Sequence, residues 1–129
     1  MRVVLSFVLA SFVLLFTHGG PGRAALDTAP ARAHSMELLI FEHADCVYCR
    51  VFRRDIQTRY ERTGSAAEVP LRFIDIEKAD TTRLGLNSPL VLLPTAVLMK
   101  DGREVDRVSG YWGPDNFFKM LAHIMMKAE

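Results

Sequence analysis

Cysteine is scarce in this chain of 129 residues: it occurs twice, at positions 46 and 49. Two thiols are too few to staple a small disulfide-framed scaffold, so that class is excluded. They are enough for one bond that opens and closes. Charge of one sign is lacking too. The net charge is +1, with no run of like charges, which argues for neither nucleic acid nor an anionic membrane surface as a partner. Internal repeats and low-complexity tracts are also missing, and with them the solenoid and linker classes. The longest apolar run, residues 3–16, is interrupted by two serines. As a helix it would reach about 21 Å, against roughly 30 Å for a hydrocarbon core, so a stable membrane span is disfavoured.

What the chain does have is apolar content: half of its residues are hydrophobic, enough to fill the core of one small domain. Its first residues follow the pattern of a secretory signal peptide. Arg2 supplies the positive charge, residues 3–16 the apolar region, and residues 19–33 a looser stretch rich in Gly, Pro and Ala. Small residues allow cleavage after Ala33 or after Ala24, and the Ala31-Arg32-Ala33 triplet is the better match. An uncleaved anchor or a buried first helix is the alternative. The expected organisation is a signal peptide at 1–33 and one domain at 34–129. Removing the signal leaves thirteen basic and fourteen acidic side chains. Export would place both cysteines where disulfides persist, so localisation is expected to be periplasmic and soluble.

The domain opens with a short apolar stretch, residues 36–41, suited to a central strand covered on both faces. From Cys46 to about Arg62 the period changes. Cys49, Phe52, Ile56 and Tyr60 recur at helical spacing, and arginines occupy much of the remaining surface. Residues 71–76 alternate as a second strand. Asp80 can cap a short helix running toward Leu86, and Asn87-Ser88-Pro89 breaks the chain. Residues 95–100 read as a third strand, Asp101-Gly102 as a hairpin turn, and residues 104–109 as a returning strand. Val105 and Val108 break strict alternation there, and four charges from Arg103 to Arg107 mark it as an edge strand with a bulge. Pro114 and Asp115 open a last helix with Phe117, Leu121, Ile124 and Met125 on its inner stripe. The order predicts an α/β fold: a minimal four-stranded mixed sheet flanked by about three helices on its two faces.

Two cysteines three residues apart, at a strand-to-helix junction, form a redox signature. A thiol attacks a disulfide only as thiolate, and a helix N-terminus favours that form. Cys46, at the first helical position, is the expected attacking thiol. Cys49, one turn further along the same face, is the expected resolving thiol. Asp45 and Glu42 oppose the thiolate, whereas His43, if protonated, and the arginines of the first turns favour it. The expected balance is a reductant or isomerase rather than a strong oxidant.

Cys46-Val47-Tyr48-Cys49, then Leu93-Pro94-Thr95, then Lys100-Asp101-Gly102-Arg103-Glu104-Val105 with Val108-Ser109-Gly110, resembles the thioredoxin superfamily. Phe41-Glu42 before the cysteine pair, Gly110-Tyr111, Gly113-Pro114-Asp115 and Phe117-Phe118 are similar to the small exported SoxS-type thioredoxins of bacterial sulfur-oxidation systems. The resemblance spans residues 36–126 and implies a thioredoxin-like fold with Cys46 and Cys49 as the catalytic pair. It also implies a cis-proline at Pro94, with Leu93, Pro94 and Gly110 binding the substrate. The implied protein is a periplasmic thiol–disulfide oxidoreductase recharged by a membrane thiol-electron donor. Its implied partner is a disulfide-bearing client protein, such as the sulfur-carrier protein of thiosulfate oxidation. No cofactor is implied, because the residues that hold glutathione in glutaredoxins are absent around Gly110. Asp45, Val47 and Tyr48 depart from the Trp and Gly-Pro of thioredoxin, and Ile40 stands where thioredoxin has a buried carboxylate.

Two other classes fit the cysteine pair. One is a metal-binding protein for copper or zinc, with His43 as third ligand; a lone C-x-x-C and one His give at most three. The other is a non-enzymatic partner-binding module in which the disulfide is static; so tight a loop gains little from crosslinking.

Overall fold

The structure, a computed structural model, describes residues 35–129. The expected signal peptide at 1–33 lies outside the described residues. The elements are β1 (Met36–Glu42), α1 (Val47–Glu61), β2 (Leu71–Asp75), β3 (Thr95–Lys100), β4 (Arg103–Ser109) and α2 (Pro114–Met126), with 3-10 turns at Gly64–Ala67 and Thr81–Arg83.

One sheet runs in the order β2-β1-β3-β4. β1 pairs parallel with β2 through the α1 crossover, and β3 lies antiparallel to both β1 and β4. The hydrophobic β1 is therefore central, as its sequence predicts. Alternation divides it between two cores. Leu38 and Ile40 join Ala96, Leu98 and Val108 beneath Phe52, Ile56 and Tyr60 of α1 and Phe117, Leu121 and Ile124 of α2. Leu39 and Phe41 point the other way, with Ile74, Val97 and Met99.

The helix count differs from the expectation. Among the described residues there are two α-helices, and both lie on one face of the sheet. The other face is covered by Ile76, Ala79, Leu84, Leu86, Leu90 and Leu93, from a segment whose one regular piece is the 3-10 turn at Thr81–Arg83. Asp80 caps that turn as expected, accepting from the Thr82 N–H at 3.2 Å. A longer helix is stopped by two adjacent β-branched threonines and by Gly85, which adopts φ 65°. A Cβ at Gly85 would overlap the Gly102 carbonyl, so the close approach of this segment to the hairpin requires glycine.

The hairpin and the bulge are where the sequence puts them. Asp101 and Gly102 take φ 52° and 75° between paired Lys100 and Arg103, as a two-residue turn demands. Leu98 pairs with Asp106 and Met99 with Glu104, which leaves Val105 as the extra residue of a bulge. That shift lets Val105 and Val108, three apart, both face the helical core.

Candidate active site

Glu42 ends β1 opposite Asp75 of β2, and the chain turns through His43, Ala44 and Asp45 into α1. The turn closes with the Cys46 N–H donating to the His43 carbonyl at 3.1 Å. Cys46 is the N-cap rather than the first helical residue: its backbone is extended, φ −77° and ψ 107°. Its sulfur accepts the Cys49 backbone N–H at 3.0 Å, in the place of a capping oxygen. That donor is one of the N–H groups a helix start leaves unpaired, so the sulfur sits where negative charge is stabilised.

Cys46 and Cys49 are joined in a disulfide. The two sulfurs differ in environment. Cys49 lies on the buried stripe with Phe52, Ile56 and Tyr60 and is 2% exposed, whereas Cys46 is partly exposed at the helix tip.

The remaining predicted site residues gather at the same end of the sheet. Thr95 pairs with Phe41 on one side and with Ser109 on the other, so Pro94 and Gly110 lie at the same end of the sheet as the cysteine turn that leaves β1. The Leu93–Pro94 peptide bond is cis, and the Gly110 N–H donates to the Pro94 carbonyl at 2.8 Å. Gly110 takes φ 79°, where a side chain would be strained. The Thr95 hydroxyl donates to the Leu92 carbonyl at 2.7 Å, fixing the chain on the near side of the proline.

His43 and Asp45 engage each other instead of the sulfur. The Asp45 N–H donates to His43 Nδ1 at 3.1 Å, and His43 Nε2 meets a Glu77 carboxylate oxygen at 3.0 Å. The Glu77 hydrogen bond holds the His43 pKa above its ordinary value; partial burial opposes it, and the charges of Glu77, Asp45 and Asp75 add to it. The Asp45 N–H pulls the opposite way, because an accepting Nδ1 must be bare. Glu42 is ion-paired with Arg53, whose guanidinium also lies 3.5 Å from the Phe73 ring centre. Arg50 Nη1 donates to the Ala44 carbonyl at 3.2 Å and so braces the turn. Among the described residues, no three His, Cys, Asp or Glu side chains are placed to share a metal ion.

Apolar surface is concentrated around these groups. Of the exposed large apolar side chains among the described residues, Val47 and Tyr48 stand between the cysteines and Val91 and Leu92 precede Leu93–Pro94. Trp112 follows Gly110, while Met120 and Met126 lie apart on α2. Tyr48 is 65%, Val91 83% and Trp112 78% exposed. No motif marks Val91 or Leu92, for which the apolar run 90–93 before Pro94 is the one signal; Trp112 stands two residues after Gly110, where the sequence allows either a substrate-lining aromatic or one packed on the last helix.

A paired dithiol at a helix N-terminus can pass two electrons to another disulfide or accept them, at neutral pH and without a cofactor. Fold and site together define a thiol–disulfide oxidoreductase. The chain belongs to the thioredoxin-like family: residues 23–125 match the family model described as a thioredoxin-like domain. It is similar to the periplasmic thioredoxin SoxS of Paracoccus pantotrophus, solved in its reduced form, with 33% identity and a TM-score of 0.68 over 73% of this chain and 99% of that one. Malassezia sympodialis thioredoxin is 19% identical, with a TM-score of 0.58 over 74% of this chain and 77% of that one. Fasciola hepatica thioredoxin is 23% identical, with a TM-score of 0.54 over 73% and 82%. These last two share the fold alone. A search of curated proteins returns no match.

Proposed function

We propose that this protein is a periplasmic reductant of protein disulfides, with Cys46 as the attacking thiol and Cys49 as the resolving one. The observation that carries this reading is the asymmetry of the pair: Cys46 is partly exposed and accepts a helix N-terminal N–H, while Cys49 is buried one turn below. In the reduced protein the Cys46 thiolate attacks one sulfur of a client disulfide. A Cys46–client bond forms, and the other client sulfur leaves as thiolate. Cys49, deprotonated, then attacks the Cys46 sulfur. The intramolecular disulfide closes and the second client thiol is released, so two electrons have moved to the client. A membrane thiol-electron donor returns the pair to the dithiol.

Leu93, Pro94 and Gly110 are the client-binding backbone, and the exposed Tyr48, Val91, Leu92 and Trp112 supply apolar contact around them. His43 acts on the turn rather than directly on the sulfur, by accepting the Asp45 N–H. The client is a disulfide-bearing protein, such as the sulfur carrier of thiosulfate oxidation, a reading supported by the likeness to SoxS. Export by a signal peptide at 1–33 is supported by the apolar run and the small residues after it. No helix among the described residues is long and apolar enough to cross a membrane.

A Cys49→Ser trap expressed in the source cell tests the proposal. A mixed disulfide between Cys46 and the carrier protein is expected to accumulate. If none does, while the Cys46→Ser control behaves the same, the exchange role is wrong.

A further inference from the structure

The charges from Arg103 to Arg107 look like an edge strand in the sequence, yet two of them are not solvated. The Glu104 side chain is 3% exposed and that of Arg107 15%. The bulge at Val105 is the cause. Glu104 pairs with Met99 and Arg107 with Val97, and both partners face the loop-covered side of the sheet. Without the extra residue, alternation would send Glu104 and Arg107 to opposite faces.

On that side they form a clasp. Arg107 Nε and Nη2 donate to the two Glu104 carboxylate oxygens, each at 2.5 Å. The guanidinium also reaches the covering segment, with Nη2 donating to the Ser88 carbonyl at 2.9 Å and Nη1 to the Pro89 carbonyl at 3.2 Å. Glu104 holds the same segment. Its carboxylate accepts the Asn87 N–H at 2.7 Å, its carbonyl accepts Asn87 Nδ2 at 3.3 Å, and its N–H donates to the Gly85 carbonyl at 3.1 Å. Burial pushes the Glu104 carboxyl up, but the Arg107 and Asn87 hydrogen bonds outweigh it and hold the pKa below its ordinary value.

A buried ion pair is weak evidence for stability, since apolar replacements of similar volume are often as stable. Its distinctive contribution is direction: it fixes where the bonded groups sit. Here it fixes residues 85–89, which belong to no helix or strand. The next residues are Leu90, the exposed Val91 and Leu92, and then Leu93–Pro94. At the far end Thr95 is locked into β3 and its hydroxyl holds Leu92.

We propose that Glu104 and Arg107 are positioning residues for client recognition: anchored at 85–89 by the clasp and at 95 by β3, residues 90–93 are presented to the client as a preformed edge. This rests on the reading of Leu93–Pro94 as the client-binding backbone. Preorganisation raises affinity by removing the ordering cost from the binding step. It does nothing for the chemistry at sulfur.

The test separates the two. Glu104→Gln and Arg107→Lys proteins reduce oxidised insulin, a protein disulfide, and 5,5′-dithiobis(2-nitrobenzoate), a small one. The expected result is a KM for insulin raised about tenfold with kcat nearly unchanged, and wild-type rates on the small disulfide. Amide hydrogen exchange at Asn87, whose N–H the Glu104 carboxylate accepts, should rise, while exchange in α1 stays as it is. An unchanged insulin KM in either folded variant overturns the positioning role. So does a parallel loss on both substrates, which marks a general loss of structure; Arg107→Lys, keeping its charge, guards against a Glu104 variant that fails to fold. If the wild-type protein reduces the small disulfide but neither insulin nor any protein held by the Cys49→Ser trap, the client reading itself falls and takes this inference with it.

Discussion

The two faces of the sheet are held by different physics, although the same strands build both. On one face α1 and α2 cover Leu38 and Ile40 with a periodic stripe of large apolar side chains, Phe52 packing edge-on against Phe117 and Tyr111 at 4.9 and 5.3 Å. On the other, Leu39 and Phe41 are covered by an irregular segment tied down by the Glu104–Arg107 clasp. Burial is non-directional, and it suffices to seat Cys49 and hold Cys46 at the helix tip. Placing a loop that has no periodic bonds of its own needs directional ones. The cysteine pair thus belongs to the helical face and the proposed docking backbone to the clasped one. They meet at the end of β1.

The largest expected effect tests the helical face. Phe52→Ala should destabilise the protein by about 3–5 kcal/mol, read from denaturant unfolding, because its surroundings on two helices and the sheet cannot collapse into the void. The sharpest test of the contrast uses neighbours on one strand. Leu38→Ala and Leu39→Ala each remove a fully buried side chain, and such changes cost about 2–5 kcal/mol. Leu38→Ala should be the more damaging, since the loop over Leu39 can settle where helices cannot. Equal costs, or the reverse order, would break the comparison.

Glu104→Gln comes next, with about 1–3 kcal/mol lost at pH 7 from a buried charge-assisted network. The pH dependence has a definite sign. A carboxyl whose folded pKa is depressed stabilises the fold above its ordinary value of about 4.3, and that contribution disappears as pH falls through the folded pKa. The gap between wild type and Glu104→Gln should therefore narrow on acidification below about pH 4.3. Asp55 and Asp75, also depressed by their cationic partners, act in the same direction in both proteins and cancel in the difference, whereas the Asp106 charge acts on Glu104 itself and belongs to the gap.

The smallest effect concerns His43. Its raised pKa gives a contribution present below about pH 6.5 and lost as pH rises through the folded value. In a Glu77→Gln protein an NMR titration should show the His43 pKa moving down. An unmoved titration would mean that the Glu77 contact does not govern the ring.

The same contrast explains what could be read from residues alone. The stripe Cys49, Phe52, Ile56 and Tyr60 is periodic, so α1 and its buried face were legible, as were the Asp101-Gly102 turn and the bulge signalled by Val105 and Val108. The clasped face was not. Ile76, Ala79, Leu84, Leu86, Leu90 and Leu93 follow neither period, so a third helix was expected where a single 3-10 turn forms. The burial of Glu104 depends on Asn87, a partner seventeen residues earlier that nothing in the charges around Glu104 marks. At the site, the cysteine pair, Pro94 and Gly110 were marked by motif. The attachment of His43 to Glu77 was not, because its partner lies beyond the α1 crossover.

The account stands on the division of labour between the two sulfurs, and alkylation of the reduced protein across a pH series tests it most directly. With labelled sites located by mass spectrometry, Cys46 should react first, with a midpoint below the ordinary thiol value of about 8.5, while Cys49 stays protected until the fold is opened. Earlier labelling of Cys49, at lower pH than Cys46, would contradict it.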